Sequence, residues 1–295
     1  METRQPRDLH TGAGAAITRR AFVAAAAAGV VASCARSHQV TLGVQSYSFR
    51  DRALDDAIAG MQKLGLHSCE LWQGHIEPRG IPRDEIRRWR ETIEIEMFQR
   101  IRERFAKASI ALSAYNISFN DSYSDTEIER GFEMAKALGA PAITSSANVN
   151  TVARIAPVAA RHKMLVGLHN HSRIDPNEFA TPESMTTALA QGPFIAVNLD
   201  IGHFTAANGD AVSFLEQHHE RIVTLHLKDR KRDQGANLPF GEGDTPIVPV
   251  LKLLREKGWP IPANIEYEYK GGDSVEEVGK CLDYCRRALD APVRL

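Results

Sequence analysis

Between Val40 and Ala288 short unbroken runs of apolar residues alternate with longer stretches in which apolar positions recur every three or four residues. Short runs read as strands buried on both faces, and the 3.6-residue period reads as amphipathic helix. Strands are expected over Val40–Phe49, Ser68–Trp72, Ile110–Phe119, Ala142–Ser146, Leu165–His171, Phe194–Asp200, Ile222–Lys228 and Ile261–Tyr267. Between and after them, helices are expected over Leu54–Leu64, Asp84–Ala108 (one long helix or a pair), Thr126–Leu138, Val152–His162, Pro182–Leu189, Asp210–Arg221, Val248–Lys257 and Ser274–Ala288. Gly65 and Gly139 stand where helices stop, the usual place for a left-handed residue. Strict alternation implies parallel strands with right-handed crossovers. Eight such units favour a closed (β/α)8 TIM barrel, α/β in class, over an open sheet, and no GxGxxG follows the first strand. The expected organisation is one barrel over residues 38–295.

The pattern breaks before that region. Thr18-Arg19-Arg20-Ala21-Phe22 followed by an alanine-rich run resembles a twin-arginine export signal, and Val31-Ala32-Ser33-Cys34 resembles a lipoprotein processing box. Residues 1–35 are therefore expected to be a signal segment. Cleavage would place the protein outside the cytoplasm, in the periplasm or held at the membrane by a lipid on Cys34. The apolar run is shorter than the ~20 residues a membrane span needs. Cys281 and Cys285 lie one helical turn apart, a poor geometry for a disulfide, and are expected as thiols.

Composition adds exclusions. At 43% hydrophobic and 25% charged, the 295-residue chain is an ordinary globular protein. A formal charge of −1 offers no basic face for nucleic acid. The partner expected is a small carbohydrate, and a homo-oligomer is left open.

The chemistry is concentrated at strand ends. His169, Asp200, His226 and Glu266 each close an apolar run (LVGLH, IAVNLD, IVTLH, PANIE), separated by 31, 26 and 40 residues. Each interval is about one strand-plus-helix unit, so the four converge where barrel active sites lie, at the C-terminal ends of the strands. Residues two apart on a strand share a face, so His171, Lys228 and Glu268 point the same way as His169, His226 and Glu266. Imidazoles and carboxylates meeting at one point make a divalent-metal site. Mixed N and O donors suit Mn, Co, Zn or Fe(II) better than Ca. Glu70 and Trp72 alternate on the second strand and aim at the same mouth.

GLHNH (167–171), NLDIGH (198–203), LHLKD (225–229), GEGD (241–244) and IEYE (265–268) resemble segments of the sugar phosphate isomerase/epimerase family, the xylose isomerase-like barrels that include ketose 3-epimerases and inosose dehydratases. The resemblance implies one divalent ion held by the residues at His169, Asp200, His226 and Glu266. It implies proton transfer α to a carbonyl, with Glu266, His171 and Lys228 as catalytic groups and His203, Glu70, Trp72, Glu268 and Arg232 contacting substrate. His169 departs from the pattern, since the sugar epimerases usually carry Glu there. The expected activity is sugar isomerisation or epimerisation on a neutral sugar or keto-sugar. Two alternatives stand beside it: a lyase that cleaves 3-keto-glycosides by β-elimination, which fits the missing carboxylate, and an exported carbohydrate-binding lipoprotein without turnover. A phosphodiesterase like the DNA-repair endonucleases of the same superfamily is disfavoured by the balanced charge.

Overall fold

A computed structural model describes residues 39–290. The segment 1–35, with its arginine pair and Cys34, lies outside the described residues. Within them eight parallel strands close into a barrel: β1 (Leu42–Gln45), β2 (Ser68–Trp72), β3 (Ala111–Asn116), β4 (Ala142–Ser145), β5 (Leu165–His169), β6 (Ile195–Asp200), β7 (Ile222–Leu227) and β8 (Ala263–Ile265), with β8 pairing to β1. Around them run α1 (Leu54–Lys63), α2 (Arg83–Thr92), α3 (Glu96–Lys107), α4 (Asp125–Leu138), α5 (Val152–His162), α6 (Pro182–Leu189), α7 (Ile201–Ala206), α8 (Ala211–His218), α9 (Ile247–Lys257) and α10 (Ser274–Asp290). The expected TIM barrel is the fold observed.

Local chemistry explains the boundaries. α4 begins with a capping box, in which Ser124 Oγ accepts from Glu127 N while the Glu127 carboxylate accepts from Ser124 N, and it ends at Gly139 with φ +70°. The Asp84–Ala108 stretch is a pair of helices, α2 and α3. Several strands stop earlier than their apolar runs. After Gln45 the chain turns through Ser46–Phe49, and two serine hydroxyls take over the ladder's role: Ser46 Oγ accepts from Trp72 N at 2.8 Å, while Ser48 Oγ donates to Ile265 O and accepts from Tyr267 N. The short helix α7 falls outside the expected elements; the Asp200 side chain caps it by accepting from His203 N at 2.7 Å.

The residues between the inward-facing positions behave as their alternation requires. Leu199, Leu225, Leu227, Ile265 and Tyr267 are buried in one hydrophobic layer with the surrounding helices. Cys281 and Cys285 are both buried free thiols on α10.

Candidate metal centre

The barrel floor is polar. Glu70, on β2 and fully buried, accepts hydrogen bonds from Gln45 Nε2 (2.9 Å), Thr144 Oγ1 (2.6 Å), Asn198 Nδ2 (3.2 Å), Thr224 Oγ1 (3.2 Å) and Asn264 Nδ2 (3.1 Å), drawn from β1, β4, β6, β7 and β8. A buried carboxylate survives only when its lone pairs are taken up this way. One more donor, His226 Nε2, lies 2.9 Å from Glu70 Oε1. A carboxylate only accepts, so that contact places a proton on Nε2 and turns Nδ1 toward the site, 3.1 Å from Glu266 Oε2, the orientation usual for a metal-ligating imidazole with a carboxylate behind it.

Above this floor His169, Asp200, His226 and Glu266 meet. Their ligand atoms lie within 4.8 Å of one another, and all four residues are buried. Strand register accounts for the convergence: Asp200 is level with His226, His226 with Asn264, and His169 with Asn198, so all four sit at or just past the C-terminal strand ends. His169 Nδ1, Asp200 Oδ2, His226 Nδ1 and Glu266 Oε2 are buried and form no hydrogen bond of good geometry, although the Lys228 ammonium lies beside the two carboxylate oxygens and His226 Nδ1 lies 3.1 Å from Glu266 Oε2. Lys228 offsets the charge of the two carboxylates but offers nothing to the imidazole lone pairs, so a divalent cation would satisfy the four donor atoms together where the ammonium does so only in part. The donor set of two imidazoles and two carboxylates fits a divalent ion of the borderline type.

The electrostatics are mixed: burial acts to lower His226, but Glu70 and Glu266 outweigh it and hold the ring well above its usual range, and burial raises Asp200 against the pull of Lys228. Burial pushes the His169 imidazole well below its usual range, and His226 adds to that, which leaves His169 neutral with a lone pair to offer. At Glu266 burial acts to raise the carboxyl, but Lys228 and His226 outweigh it and hold it ionised. Burial would lower the Lys228 ammonium, yet Asp200, Glu266 and Glu268 hold it above its ordinary value. Its Nζ stands 3.1 Å from Asp200 Oδ2, 2.9 Å from Glu266 Oε2 and 2.7 Å from Glu268 Oε2.

A cavity of about 330 Å³ opens over these atoms. His169, His171, His203, His226, Lys228, Glu266, Glu268 and Trp72 are among the residues that line it. Two expected substrate contacts are placed elsewhere. Glu70 lies beneath the cavity rather than at its mouth, because the inward face of β2 at that level is the barrel floor, and its carboxylate is consumed by the six donors around it. Arg232 is exposed on a turn, where its backbone N–H donates to Asp244 Oδ2 and its carbonyl accepts from Gly235 N. Arg230, two residues earlier, is the arginine that reaches the site, with Nη1 2.7 Å from His203 Nδ1.

Some lining residues escaped the sequence reading: Gln45, Asn116, Ser118 and Ser146 complete the wall made by β1, β3 and β4. The signal available was a polar residue closing each of those strands. The LHLKD and GEGD segments prove to be joined: Asp229 is buried and its carboxylate accepts from Gly241 N, Gly243 N and Thr245 N. A Cβ at Gly243 would overlap the Asp229 carboxylate, which explains the glycine.

Parallel strands closed into a barrel, with buried imidazoles and carboxylates gathered at their C-terminal ends, define a (β/α)8 protein with a candidate metal centre. The chain belongs to the xylose isomerase-like TIM barrel family, whose sequence profile matches residues 58–288. It is 30% identical over 104 residues to an L-ribulose-5-phosphate 3-epimerase, UlaE, of Escherichia coli O17:K52:H18, a match covering 35% of this chain and 37% of that protein. The chain thus spans little more than a third of the length of the curated relatives it matches. Among solved structures it resembles the probable 3-DHS dehydratase AsbF from Bacillus anthracis (TM-score 0.64, 17% identity, 83% of this chain and 99% of that one). It also resembles the IOLI protein with a bound zinc atom (TM-score 0.66, 15% identity, 85% and 98%).

Proposed function

We propose that this protein is a divalent-metal-dependent sugar isomerase or epimerase acting on a neutral ketose or keto-sugar, with the ion held by His169, Asp200, His226 and Glu266. The observation that carries the reading is the set of four buried donor atoms, two imidazole and two carboxylate, within 4.8 Å of one another beneath the cavity. A 3-epimerase among the sequence relatives and a zinc-bound protein among the structural ones support it. When bound, the ion supplies a Lewis acid that stabilises negative charge developing on adjacent substrate oxygens. Mn, Co, Zn and Fe(II) all suit the donors.

The remaining steps belong to the chain's own side chains. Glu266, held ionised, accepts the carbon-bound proton α to the carbonyl, and that C–H electron pair passes into the enediolate. His171, at the rim with Nδ1 3.2 Å from Glu178 Oε2, returns a proton. Return to the opposite face of the same carbon gives an epimer, and return to the neighbouring carbon gives an isomer. Lys228, gripped by three carboxylates, offers its ammonium to a substrate oxygen, with His203 and Glu268 beside it and Trp72 forming an apolar wall. A phosphorylated sugar is disfavoured, because Lys228 is the one Lys or Arg lining the cavity among the described residues and it already faces three carboxylates. We propose further that residues 1–35 export the protein and that Cys34 carries a lipid.

A second reading, a lyase that eliminates the aglycone from 3-keto-glycosides, is favoured by His169 standing where the sugar epimerases usually carry Glu. Product analysis in D2O tests both. The metal-loaded protein is expected to place deuterium on carbon in an unfragmented ketose. Release of an aglycone from a 3-keto-glycoside selects the lyase, and sugar binding without exchange or cleavage on either class overturns both.

A further inference from the structure

We infer that Gly74 and His75 are positioning residues: together they lock the indole of Trp72 into the cavity wall, so that substrate meets a pre-set aromatic platform there; that the substrate is a sugar rests on the reading above. Both residues follow β2 in a single 3-10 turn, Gln73–His75, and stand behind the wall, where each acts on the β2 side chain that lines the cavity. Gly74 acts by space. A Cβ there would stand 2.3 Å from Cζ2 and Cη2 of the Trp72 indole and 2.6 Å from Cε2, so glycine alone lets the ring lie against the turn. Gly74 O also accepts from Arg79 Nε at 2.7 Å, and the Arg79 guanidinium lies 4.8 Å from the Trp72 ring centroid.

His75 acts by hydrogen bonding. Its Nε2 lies 3.2 Å from Phe49 O, an atom that only accepts, so Nε2 carries a proton. Burial, with Arg79 adding to it, holds the imidazole below its ordinary range against the pull of Phe49 O and Asp51, which leaves the ring neutral and Nδ1 free to accept. Ser46 Oγ, 3.0 Å from Nδ1, donates to it, and the same oxygen accepts from Trp72 N at 2.8 Å. Donors and acceptors thus match along the whole chain from Trp72 to Phe49. Ring edges complete the enclosure: His75 and Tyr47 meet the indole at 80° and 83°, with centroids 5.6 and 4.8 Å away. A turn needed only to end β2 is closed by its own backbone, Ile76 N donating to Gln73 O at 2.8 Å, and would require neither the glycine nor the histidine. A side chain already ordered spares substrate the cost of ordering it, about 2- to 10-fold in affinity. Ground and transition states share that gain, so its loss raises KM and leaves kcat in place.

Fluorine spectra of the protein carrying 5-fluorotryptophan test this without any ligand, with the Trp72 line assigned by its loss in Trp72→Phe. The expected result is one narrow Trp72 line in the unsubstituted protein, moved in Gly74→Ala and broadened or split in His75→Phe. His75→Asn, whose Oδ1 can accept from Ser46, should restore the narrow line. A broad or split line in the unsubstituted protein overturns the inference, and so does a line that neither Gly74→Ala nor His75→Phe changes. If His75→Phe fails to fold, Ser46→Ala removes the same bond from its other end and takes its place. On the free ketose that exchanges deuterium, Gly74→Ala and His75→Phe are expected to raise KM about 2- to 10-fold with kcat unchanged, and a fall in kcat at unchanged KM would overturn the platform role. If the Trp72 line behaves as expected and no sugar exchanges deuterium, the positioning role stands and the sugar reading falls.

Discussion

Two clusters of buried charge share this barrel and follow opposite rules. In the first, Arg90 on α2 donates from Nε and Nη2 to both oxygens of Glu77 (2.9 and 2.7 Å) and from Nη1 to Glu127 Oε1 on α4 (3.0 Å). Its guanidinium also lies 4.3 Å from the Tyr123 ring centroid. None of those three charged side chains has an unpartnered atom. In the second, His169, Asp200, His226 and Glu266 each turn one donor atom toward a common point without a hydrogen bond of good geometry, with the Lys228 ammonium beside the two carboxylates. The difference teaches how to tell a brace from a site: both bury paired charge, but only the second gathers at one point donor atoms that its own side chains leave short of well-formed hydrogen bonds.

The largest effect that sharpens this contrast is on metal binding. The double variant His226→Ala, Glu266→Gln removes two donors at once and is expected to weaken the ion by more than the roughly 10–100-fold that outer-sphere partners cost. Metal content after dialysis, measured on the purified protein, checks it. Full occupancy in the double variant would sink the proposed site.

That site was legible in the sequence because strand ends repeat. Four polar residues closing four apolar runs, one strand-plus-helix apart, can only converge if the strands are parallel neighbours, and the same periodicity specified the barrel. What escaped was whatever depends on depth rather than on face. Alternation placed Glu70 inward, but whether an inward residue lies at the mouth or on the floor depends on how the strands are staggered, which no single run encodes. Arg230 and Arg232 pose the same difficulty in a loop, where the turn after Asp229 decides which arginine faces inward. The helix α7 was missed because Asp200 serves both as a strand end and as a cap.

Breaking the brace should cost stability and spare the metal. Arg90→Met strips buried Glu77 of its counter-charge and leaves Glu127 only the longer contacts to Arg83 and Arg87 (3.5 and 3.6 Å), a loss of about 3–5 kcal/mol, read by denaturant unfolding, with metal stoichiometry unchanged in the fraction that remains folded. The same cluster sets a pH dependence. Burial acts to raise the Glu127 carboxyl, but the Ser124 N–H and Arg90 together hold it below its ordinary value. A depressed folded-state pKa contributes stability that is fully present above the unfolded value and lost as pH falls through the folded one. Acid titration of the unsubstituted protein should therefore show a decline below about pH 4.3 that is smaller in Arg90→Met.

Between the two clusters stands Glu70, fully partnered like the brace yet acting on the site. Glu70→Gln keeps the shape and removes the charge that orients His226. Metal affinity is expected to drop about 10–100-fold, with the barrel still folded. A competition titration against a chelator measures it, and an affinity equal to that of the unsubstituted protein would reassign Glu70 to the brace.

The smallest effect probes how evenly the brace shares its load. Ser124 Oγ accepts from Glu127 N at 3.1 Å and donates to Glu91 Oε1 at 3.1 Å, while Ser124 N donates to Glu127 Oε2 at 2.7 Å. Ser124→Ala deletes both hydroxyl bonds but retains the backbone bond to the carboxylate, so Glu127 keeps Arg90 and loses none of its charge compensation. The cost should be that of one helix cap, about 1 kcal/mol, and the pH dependence assigned to Glu127 should persist. A loss as large as that of Arg90→Met would mean that the cap, rather than the ion pair, holds Glu127 in place. In that case the acid-induced decline would vanish with the serine, because the carboxylate would no longer be held beside the arginine.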